Sequence, residues 1–308
     1  MNNHIVNQIN IEKNMSITDF MNQLDNSGVL GAGRVARSCN LLSEMISNPE
    51  MKVFMSLAGP LVPGGLRKIV SSMIKNGHVD VLFTSGANVT HDLLESFGGS
   101  HYRDKGFDDE ELNSAGLGRI GDIYTSSDDF EVFEKEIEGI LTKISQKTDY
   151  ISIKDLLYEI GLCIDDEDSI LKAASENNIP IYAPGLIDSM LGLHLWMFTQ
   201  DHKLVVDVVA DMHGLSDLVF EAKEVGGIIL GGGLPKHYLL ASNLLKGGLD
   251  AAIQITMDRS ESGSLSGAPL EEAKSWSKAR CGSNLVSVIG DVTLIFPLIY
   301  AAALDKIN

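Results

Sequence analysis

Residues 225–237 read Val-Gly-Gly-Ile-Ile-Leu-Gly-Gly-Gly-Leu-Pro-Lys-His, an apolar run that leads straight into three glycines and a helix start. A near-continuous apolar run is typical of a strand that is covered on both faces. Glycines just past such a strand let the backbone approach a ligand closely, and the N-terminus of the next helix offers N–H groups to phosphate. The stretch is neither GxGxxG nor a P-loop, and a tight strand–helix turn without a ligand is the alternative interpretation.

Outward from this stretch, short apolar runs alternate with helical patterns along the chain. The predicted strands are Val53–Leu57, Val79–Thr84, Ile179–Ala183, Leu204–Val209, Gly227–Leu230, Ala251–Ile255 and Leu285–Ile289. The predicted helices include Gly64–Lys75, Phe130–Lys147, Ile151–Tyr158, Ser216–Ala222 and Leu270–Ala279. Such alternation predicts an α/β fold with a single doubly wound, mostly parallel sheet and a Rossmann-like site.

Three further glycine-bearing turns follow predicted strands, at residues 55–65, 80–88 and 182–188. In a doubly wound sheet all four turns project from the carboxyl edge of the strands, where ligands bind. Four turns in corresponding positions favour an extended nucleotide such as NAD.

Two segments fall outside this alternation. Residues 1–25 are polar and rich in Asn, which predicts a flexible N-terminal arm with a short helix near Ser16–Leu24. Residues 26–308 are then expected to form one α/β domain. Residues 96–129 are rich in Gly, Asp and Ser, and we expect a long loop that serves as a lid, an interface element or a binding insertion.

The overall charge restricts the class of ligand. The chain has 24 basic and 42 acidic residues, for a net charge of −18. Such a surface repels nucleic acid and attracts cations, including polyamines, although solubility alone also explains it. No apolar stretch is long enough for a membrane span. The three cysteines form no CxxC motif and no histidine pair has metal-ligand spacing, so we expect a cytoplasmic protein without a metal.

One lysine and one histidine are candidates for chemistry. In Leu270-Glu-Glu-Ala-Lys-Ser-Trp-Ser-Lys278, helical spacing places Glu272, Trp276 and Ala279 on one face. A lysine that an apolar wall desolvates becomes a nucleophile, and Trp276 could provide that wall for Lys278. The alternative is an ordinary amphipathic helix with Trp276 in the core and Lys278 in solvent. His237, beside the glycine turn, is either a general base or a capping or surface histidine.

Together these segments resemble deoxyhypusine synthase, in its archaeal or prokaryotic form or as a deoxyhypusine synthase-like protein. The resemblance runs from about Gly33 to Ala303. It is most specific in three blocks, which are Ile228–His237, Ser266–Lys278 and Gly290–Pro297.

The resemblance implies an NAD-dependent transferase of hypusine biosynthesis. Such an enzyme moves a 4-aminobutyl group from spermidine to one lysine of the translation initiation factor 5A precursor, through an imine on an enzyme lysine. It also implies a homotetramer with active sites between paired subunits, whose mouths the N-terminal segment can cover.

The resemblance also implies residue roles. Lys278 would form the imine and His237 would assist proton removal. The implied amine-binding residues are Glu272, Trp276, His91, Gly263 and Ser264. The implied NAD contacts are Leu61, Thr84, Ser85, Gly86, Asp188, Gly231, Gly232, Gly233, Met257, Asp258, Asp291 and Val292.

This chain departs from the family pattern at carboxylates that hold the amine. Leu193 and Leu265 stand where eukaryotic members have aspartates, and Thr90-His91 replaces an acidic pair. Fewer carboxylates should weaken the hold on a polycation, so a shorter or modified amine is possible as substrate. Two alternative functions stay open, which are transfer to a small amine, as in homospermidine-type synthases, and a catalytically silent NAD-binding homologue.

Overall fold

The computed structural model describes residues 5–103, 106 and 108–307. Its helices are α1 (Ile17–Ser27), α2 (Leu30–Ser47), α3 (Arg67–Lys75), α4 (Gly86–Ser96), α5 (Asp109–Ser114), α6 (Ser127–Ser145), α7 (Ile153–Gly161), α8 (Ile170–Glu176), α9 (Met190–Asp201), α10 (Asp211–Glu221), α11 (Gly233–Ser242), α12 (Glu272–Ser275) and α13 (Val292–Leu304). Its strands are β1 (Met51–Leu57), β2 (Val81–Thr84), β3 (Tyr102–Arg103), β4 (Leu117–Ile120), β5 (Ile123–Ser126), β6 (Tyr150–Ser152), β7 (Ile181–Tyr182), β8 (Val205–Asp207), β9 (Glu224–Leu230), β10 (Leu249–Thr256) and β11 (Ala279–Ile289). The chain divides into two compact units, Met1–Leu57 with Leu215–Asn308, and Ala58–Gly214.

The first unit contains four parallel strands in the order β11-β10-β9-β1. The central strand β9 pairs Gly227 with Phe54 of β1 on one side and with Ala252 of β10 on the other. Ile228, Ile229 and Leu230 of β9 are completely buried. Burying each of these side chains contributes about 1.5–3 kcal/mol, which is why an unbroken apolar run forms the centre of the unit.

Helices cover both faces of these strands. A Cβ atom on Gly226 would lie 2.8 Å from Sδ of Met45 on α2, and one on Gly227 would lie 3.5 Å from Cδ2 of Leu239 on α11. Successive strand residues point to opposite faces, so α2 and α11 pack on opposite sides of β9. The predicted α/β fold with a mostly parallel, doubly wound sheet is therefore confirmed.

The second unit combines parallel and antiparallel strands. β2 and β7 pair in parallel, as do β6 and β8, whereas β3, β5 and β4 form a three-stranded antiparallel sheet. A buried ion pair joins α3 to α4, because Nε of Arg67 donates to Oδ1 of Asp92 at 2.7 Å. Asp92 also accepts hydrogen bonds from the backbone N–H groups of Ile170 and Leu171 in the first turn of α8.

Two predictions about local structure are wrong. Residues 96–129 are not a long loop, because β3, α5, β4 and β5 lie within them. The helix predicted over Leu270–Ala279 is only the four-residue α12, and Ser277 has a left-handed φ of 55° where the chain turns into β11. A non-glycine residue in that region ends a helix, which is the physical reason for the difference.

Other predictions are confirmed or stay open. The short helix near Ser16–Leu24 is α1, whose Ser16 hydroxyl accepts from the backbone N–H of Asp19. The division into an N-terminal arm, residues 1–25, and one domain, residues 26–308, stays a prediction. The two compact units describe how the chain folds and do not test that division. Of the described helices, none combines the length and the apolar character that a membrane span requires.

Candidate active site

Lys278 lies in the turn between α12 and β11, and its backbone is held at both ends. Its N–H donates to the carbonyl of Ala273 at 2.9 Å, and its carbonyl accepts from the N–H of Leu249 at 3.1 Å. The position of Lys278 is therefore fixed by Leu249 at the start of β10 and by Ala273 within α12, and the helical spacing assumed for it does not apply.

The Lys278 side chain extends towards His237 on α11. Its Nζ lies 3.4 Å from Nε2 of His237 and 5.7 Å from the centre of the Trp276 ring. Trp276 is 64% exposed, so the alternative that placed its ring in the core is wrong. The structure thus brings together an amine, an imidazole and an aromatic face, three groups that can handle an alkylamine and its proton.

The imidazole of His237 is set up to be neutral. Burial, and then the charge of Lys278, lower the pKa of His237 below its ordinary value. A position beside a helix N-terminus predicts the same direction. A neutral ring can accept a proton at Nε2, so His237 has the state that a general base needs.

The glycine turn between β9 and α11 is tightly packed. Gly231 and Gly233 have φ values of 82° and 60°, which favour glycine. A Cβ atom on Gly232 would lie 2.4 Å from Cα of Ser266, so no other residue fits there. The N–H of Gly233 donates to Oγ of Ser266 at 2.7 Å, which ties the turn to the segment that contains Gly263 and Ser264.

The other predicted NAD contacts of the first unit follow neighbouring strands. Met257 and Asp258 come directly after β10, and Asp291 and Val292 follow β11. Since β9, β10 and β11 are parallel and adjacent, these residues and the glycine turn lie at the same carboxyl edge. Asp291 caps α13, and hydrogen bonds from the hydroxyl and then from the backbone N–H of Thr293 lower the pKa of its carboxyl.

The predicted amine-binding residues of this unit are only partly assembled. Gly263 and Ser264 are exposed, and Gly263 has a φ of 67°. Glu272 is exposed on α12, and within the described chain no hydrogen bond or ion pair joins it to Lys278. Its predicted role in anchoring an ammonium group stays a prediction.

In the second unit, the predicted NAD contacts surround the ends of β2 and β7. Thr84 ends β2, Ser85 caps α4, and Gly86 begins that helix. A Cβ atom on Gly86 would lie 2.7 Å from the carbonyl oxygen of Leu186, so this turn packs against the one that carries the exposed Asp188. The hydroxyl of Thr84 is buried, and the described residues offer it no hydrogen-bond partner.

Two more residues of the second unit carry predictions. Leu61 is buried and precedes a π-helical turn at Val62–Leu66. His91 lies on α4, where its Nδ1 is 2.9 Å from Nε2 of His101, whose Nδ1 in turn is 2.6 Å from Oε1 of Glu95. Burial and then the charge of His101 lower the pKa of His91 to about 4, so His91 is neutral near pH 7. Its role in amine binding stays a prediction.

Two of the departures from the family pattern, Leu193 and Leu265, are accessible to solvent, whereas Thr90 is buried. Leu193 on α9 is 44% exposed, and Leu265, before Ser266, is 37% exposed.

Three polar residues near the site were not selected from the sequence. Lys236 and Gln254 are buried, and together they donate hydrogen bonds to the carbonyls of Gly231, Leu265, Ser266 and Ala268. Ser266 is the third, through its bond from Gly233. A lone glutamine inside the apolar strand Ala-Ala-Ile-Gln-Ile is a signal that could have indicated Gln254, since buried polar groups require partners.

Comparisons with known proteins agree with the resemblance. A sequence profile described as deoxyhypusine synthase matches residues 19–303. A protein of Methanothermobacter thermautotrophicus named "Probable deoxyhypusine synthase" is 61% identical over 302 residues and 98% of each chain. One with the same name from Methanopyrus kandleri is 44% identical over 294 residues and 96% of each chain. A crystal structure assigned as a deoxyhypusine synthase of Entamoeba histolytica has a TM-score of 0.67 at 18% identity, covering 95% of this chain and 94% of that one, which supports the fold.

Proposed function

Because the chain belongs to the deoxyhypusine synthase family of transferases, we propose that it transfers a 4-aminobutyl group from spermidine to one lysine of the translation initiation factor 5A precursor. The observation that carries this proposal is the 3.4 Å approach of Lys278 Nζ to His237 Nε2. A cytoplasmic homotetramer is part of the same proposal.

The chemistry proposed for Lys278 is nucleophilic. The amine of Lys278 attacks the imine carbon of the oxidised spermidine, and His237 accepts the proton that Nζ gives up. A bond forms between Nζ and that carbon while the carbon–nitrogen bond to propane-1,3-diamine breaks, and the departing nitrogen takes a proton. The acceptor lysine then attacks the same carbon and releases Lys278.

NAD would supply the oxidation by taking a hydride from spermidine and would return it at the end. The residues present fit such a cofactor. A Cβ atom on Gly233 would meet no other atom within 4 Å, so the backbone is open at this residue, which begins the ten-residue helix α11, whose N-terminus favours phosphate. In the second unit, the unpartnered hydroxyl of Thr84 supports the NAD contacts predicted at Thr84, Ser85 and Gly86.

The proposed amine site rests on an aromatic face more than on carboxylates. Trp276 is exposed beside Lys278 Nζ and can accept an ammonium group over its ring. With leucine at positions 193 and 265, we propose that spermidine is held less tightly at its ends than in members that keep both aspartates. Spermidine should therefore be compared with putrescine and with a longer polyamine as amine donor.

The test is to trap the imine. The protein is incubated with NAD and labelled spermidine, reduced with borohydride and digested, and we expect the label on the peptide that contains Lys278. Lys278→Arg should keep NAD binding and lose the label, whereas the matched change Lys274→Arg on α12 should keep both. Label on Lys278→Arg protein equal to wild type would remove Lys278 from the mechanism.

The acceptor is tested in the same reaction. Adding the factor 5A precursor should move the label from Lys278 to one lysine of that protein. Label that moves only to added putrescine would support the small-amine alternative, and no adduct with any polyamine would leave a silent NAD-binding protein.

A further inference from the structure

Lys236 precedes His237 on α11 and is only 1% exposed. Lysine is rarely buried to this degree, because its ammonium group loses hydration unless other groups replace the water. The proposed reaction uses Lys278 and gives no role to Lys236. Its burial beside the proposed base therefore calls for a physical reason.

The Lys236 amine has two defined acceptors. Its Nζ donates to the carbonyl oxygen of Leu265 at 2.8 Å and to that of Ala268 at 2.7 Å. These carbonyls belong to a tight turn in which the N–H groups of Gly267 and Ala268 both point to the carbonyl of Ser264. Lys236 thus connects the first turns of α11 to residues 264–268, which we call the serine turn.

Gln254 and Ser266 complete the connection. The side-chain amide of Gln254 donates to the carbonyl of Ser266 at 2.8 Å and to that of Gly231 at 3.1 Å. The Gly233 N–H donates to Oγ of Ser266, and Gly232 leaves no room for a Cβ atom at this contact. The serine turn is therefore held at the carbonyls of Leu265, Ser266 and Ala268 and at the hydroxyl of Ser266, with little freedom to shift.

We infer that Lys236 is a positioning residue that holds the serine turn against α11, and so sets Gly263, Ser264 and Leu265 relative to His237. The kinetic part of this inference rests on the proposed function, since these residues are predicted to line the amine site. A displacement of about 1 Å in such a segment can lower a rate by about a hundredfold, so the position of the turn matters for transfer.

The hydrogen bonds, and not the charge, carry the positioning. Burial lowers the pKa of Lys236 to about 8, while Glu272 and Asp258 act in the opposite direction. A neutral amine still has two N–H groups, which match the two carbonyls. Lys236 can therefore hold the serine turn whether its amine is charged or neutral.

The test compares Lys236→Met with a matched control. Lys246 also donates to two backbone carbonyls of the same unit, those of Ala222 and Lys223, but it does not contact the serine turn. Lys236→Met should speed hydrogen exchange at the amides of Gly267 and Ala268 about tenfold and raise the KM for spermidine, with a smaller effect on NAD affinity. Lys246→Met should change none of these.

A second variant covers the case in which Lys236→Met does not fold. Lys236→Ala leaves a space that propylamine can fill, and added propylamine should restore slow exchange and transfer, whereas 1-propanol should restore less. Wild-type exchange and wild-type KM in Lys236→Met overturn the inference, as does the absence of any difference between propylamine and propanol. Hydrogen exchange is measured without turnover. If the wild-type protein proved inactive, the proposed function would be removed, but the exchange rates would still show whether Lys236 holds the serine turn.

Discussion

Lys278 Nζ and His237 Nε2 lie 3.4 Å apart, so the charge of the lysine acts directly on the proton affinity of the ring. The pKa of His237 is lowered first by burial and second by Lys278. A lowered pKa means that the neutral ring persists to more acidic pH than for an ordinary histidine. The acid limit of the proposed proton transfer should therefore lie below the ordinary range of histidine.

The first prediction isolates the contribution of the lysine. Lys278→Met removes the positive charge, so we expect the pKa of His237 to rise towards its ordinary value and to stay below it, because the ring remains buried. The measurement is a pH titration of the histidine ring protons by NMR, with the His237 signal identified by its loss in His237→Gln. Lys274→Met serves as the control and should leave the pKa of His237 unchanged. An unchanged or lower pKa in Lys278→Met would contradict the assigned cause.

At the same scale, the resemblance and the helical spacing gave different grounds for selecting Lys278. The resemblance predicted the partners Lys278, His237 and Trp276, and the structure places them together. Helical spacing could not predict this grouping, because Ser277 adopts a left-handed conformation and Lys278 lies in a turn fixed by Leu249 and Ala273. Such contacts depend on residues distant in the chain, which local periodicity does not report.

At the level of elements, the ion pair of Arg67 with Asp92 organises three helices of the second unit. Asp92 on α4 binds Arg67 on α3 and also accepts from the hydroxyl of Ser169 and from two N–H groups that begin α8. Both charges are almost fully buried. Removal of one partner leaves a buried charge without its main counterion, although Asp166 still contacts Arg67 at 2.6 Å.

The second prediction concerns stability. Asp92→Ala should lower the free energy of unfolding by about 3 kcal/mol, as is typical when one side of a buried pair is deleted. The matched control is Asp168→Ala, which removes the partner of the neighbouring Lys68 on the exposed face of α3 and should leave stability close to wild type. Urea unfolding followed by circular dichroism gives both values. Equal losses of unfolding free energy in the two variants would mean that burial of the Arg67–Asp92 pair is not the cause of its contribution to stability.

The same scale shows which elements the sequence could predict. The long apolar runs of β1, β9 and β10 were found within a few residues, because complete burial imposes a continuous apolar pattern. The hairpin of β4 and β5 was missed, although Gly121-Asp122, with a φ of 61° at Gly121, is a two-residue turn between strands. Its strands are short and half exposed, so their pattern is weak.

At the scale of the whole molecule, the net charge of −18 sets the long-range interactions of every substrate. Charge composition alone predicted attraction of cations, and it could not distinguish a polyamine substrate from a surface adapted for solubility. The structure places Lys278 beside His237 in an otherwise acidic protein, so the local field at this pair differs from the average field. Ionic strength separates the average field from the local field, because salt screens long-range attraction and does not screen short contacts.

The third prediction uses the opposite charges of the two proposed ligands. Between about 50 and 500 mM salt the Debye length falls below about 5 Å, so attraction of spermidine should weaken and its KM should rise about three- to tenfold. NAD carries net negative charge, so the same salt should lower its KM or leave it unchanged, and kcat should change little. Initial rates at several salt concentrations give the three constants, with potassium chloride replacing sodium chloride as a control for the identity of the cation. If both KM values rose together, salt would be acting on the fold or on the assembly, and the acidic surface would have no specific part in attracting the amine.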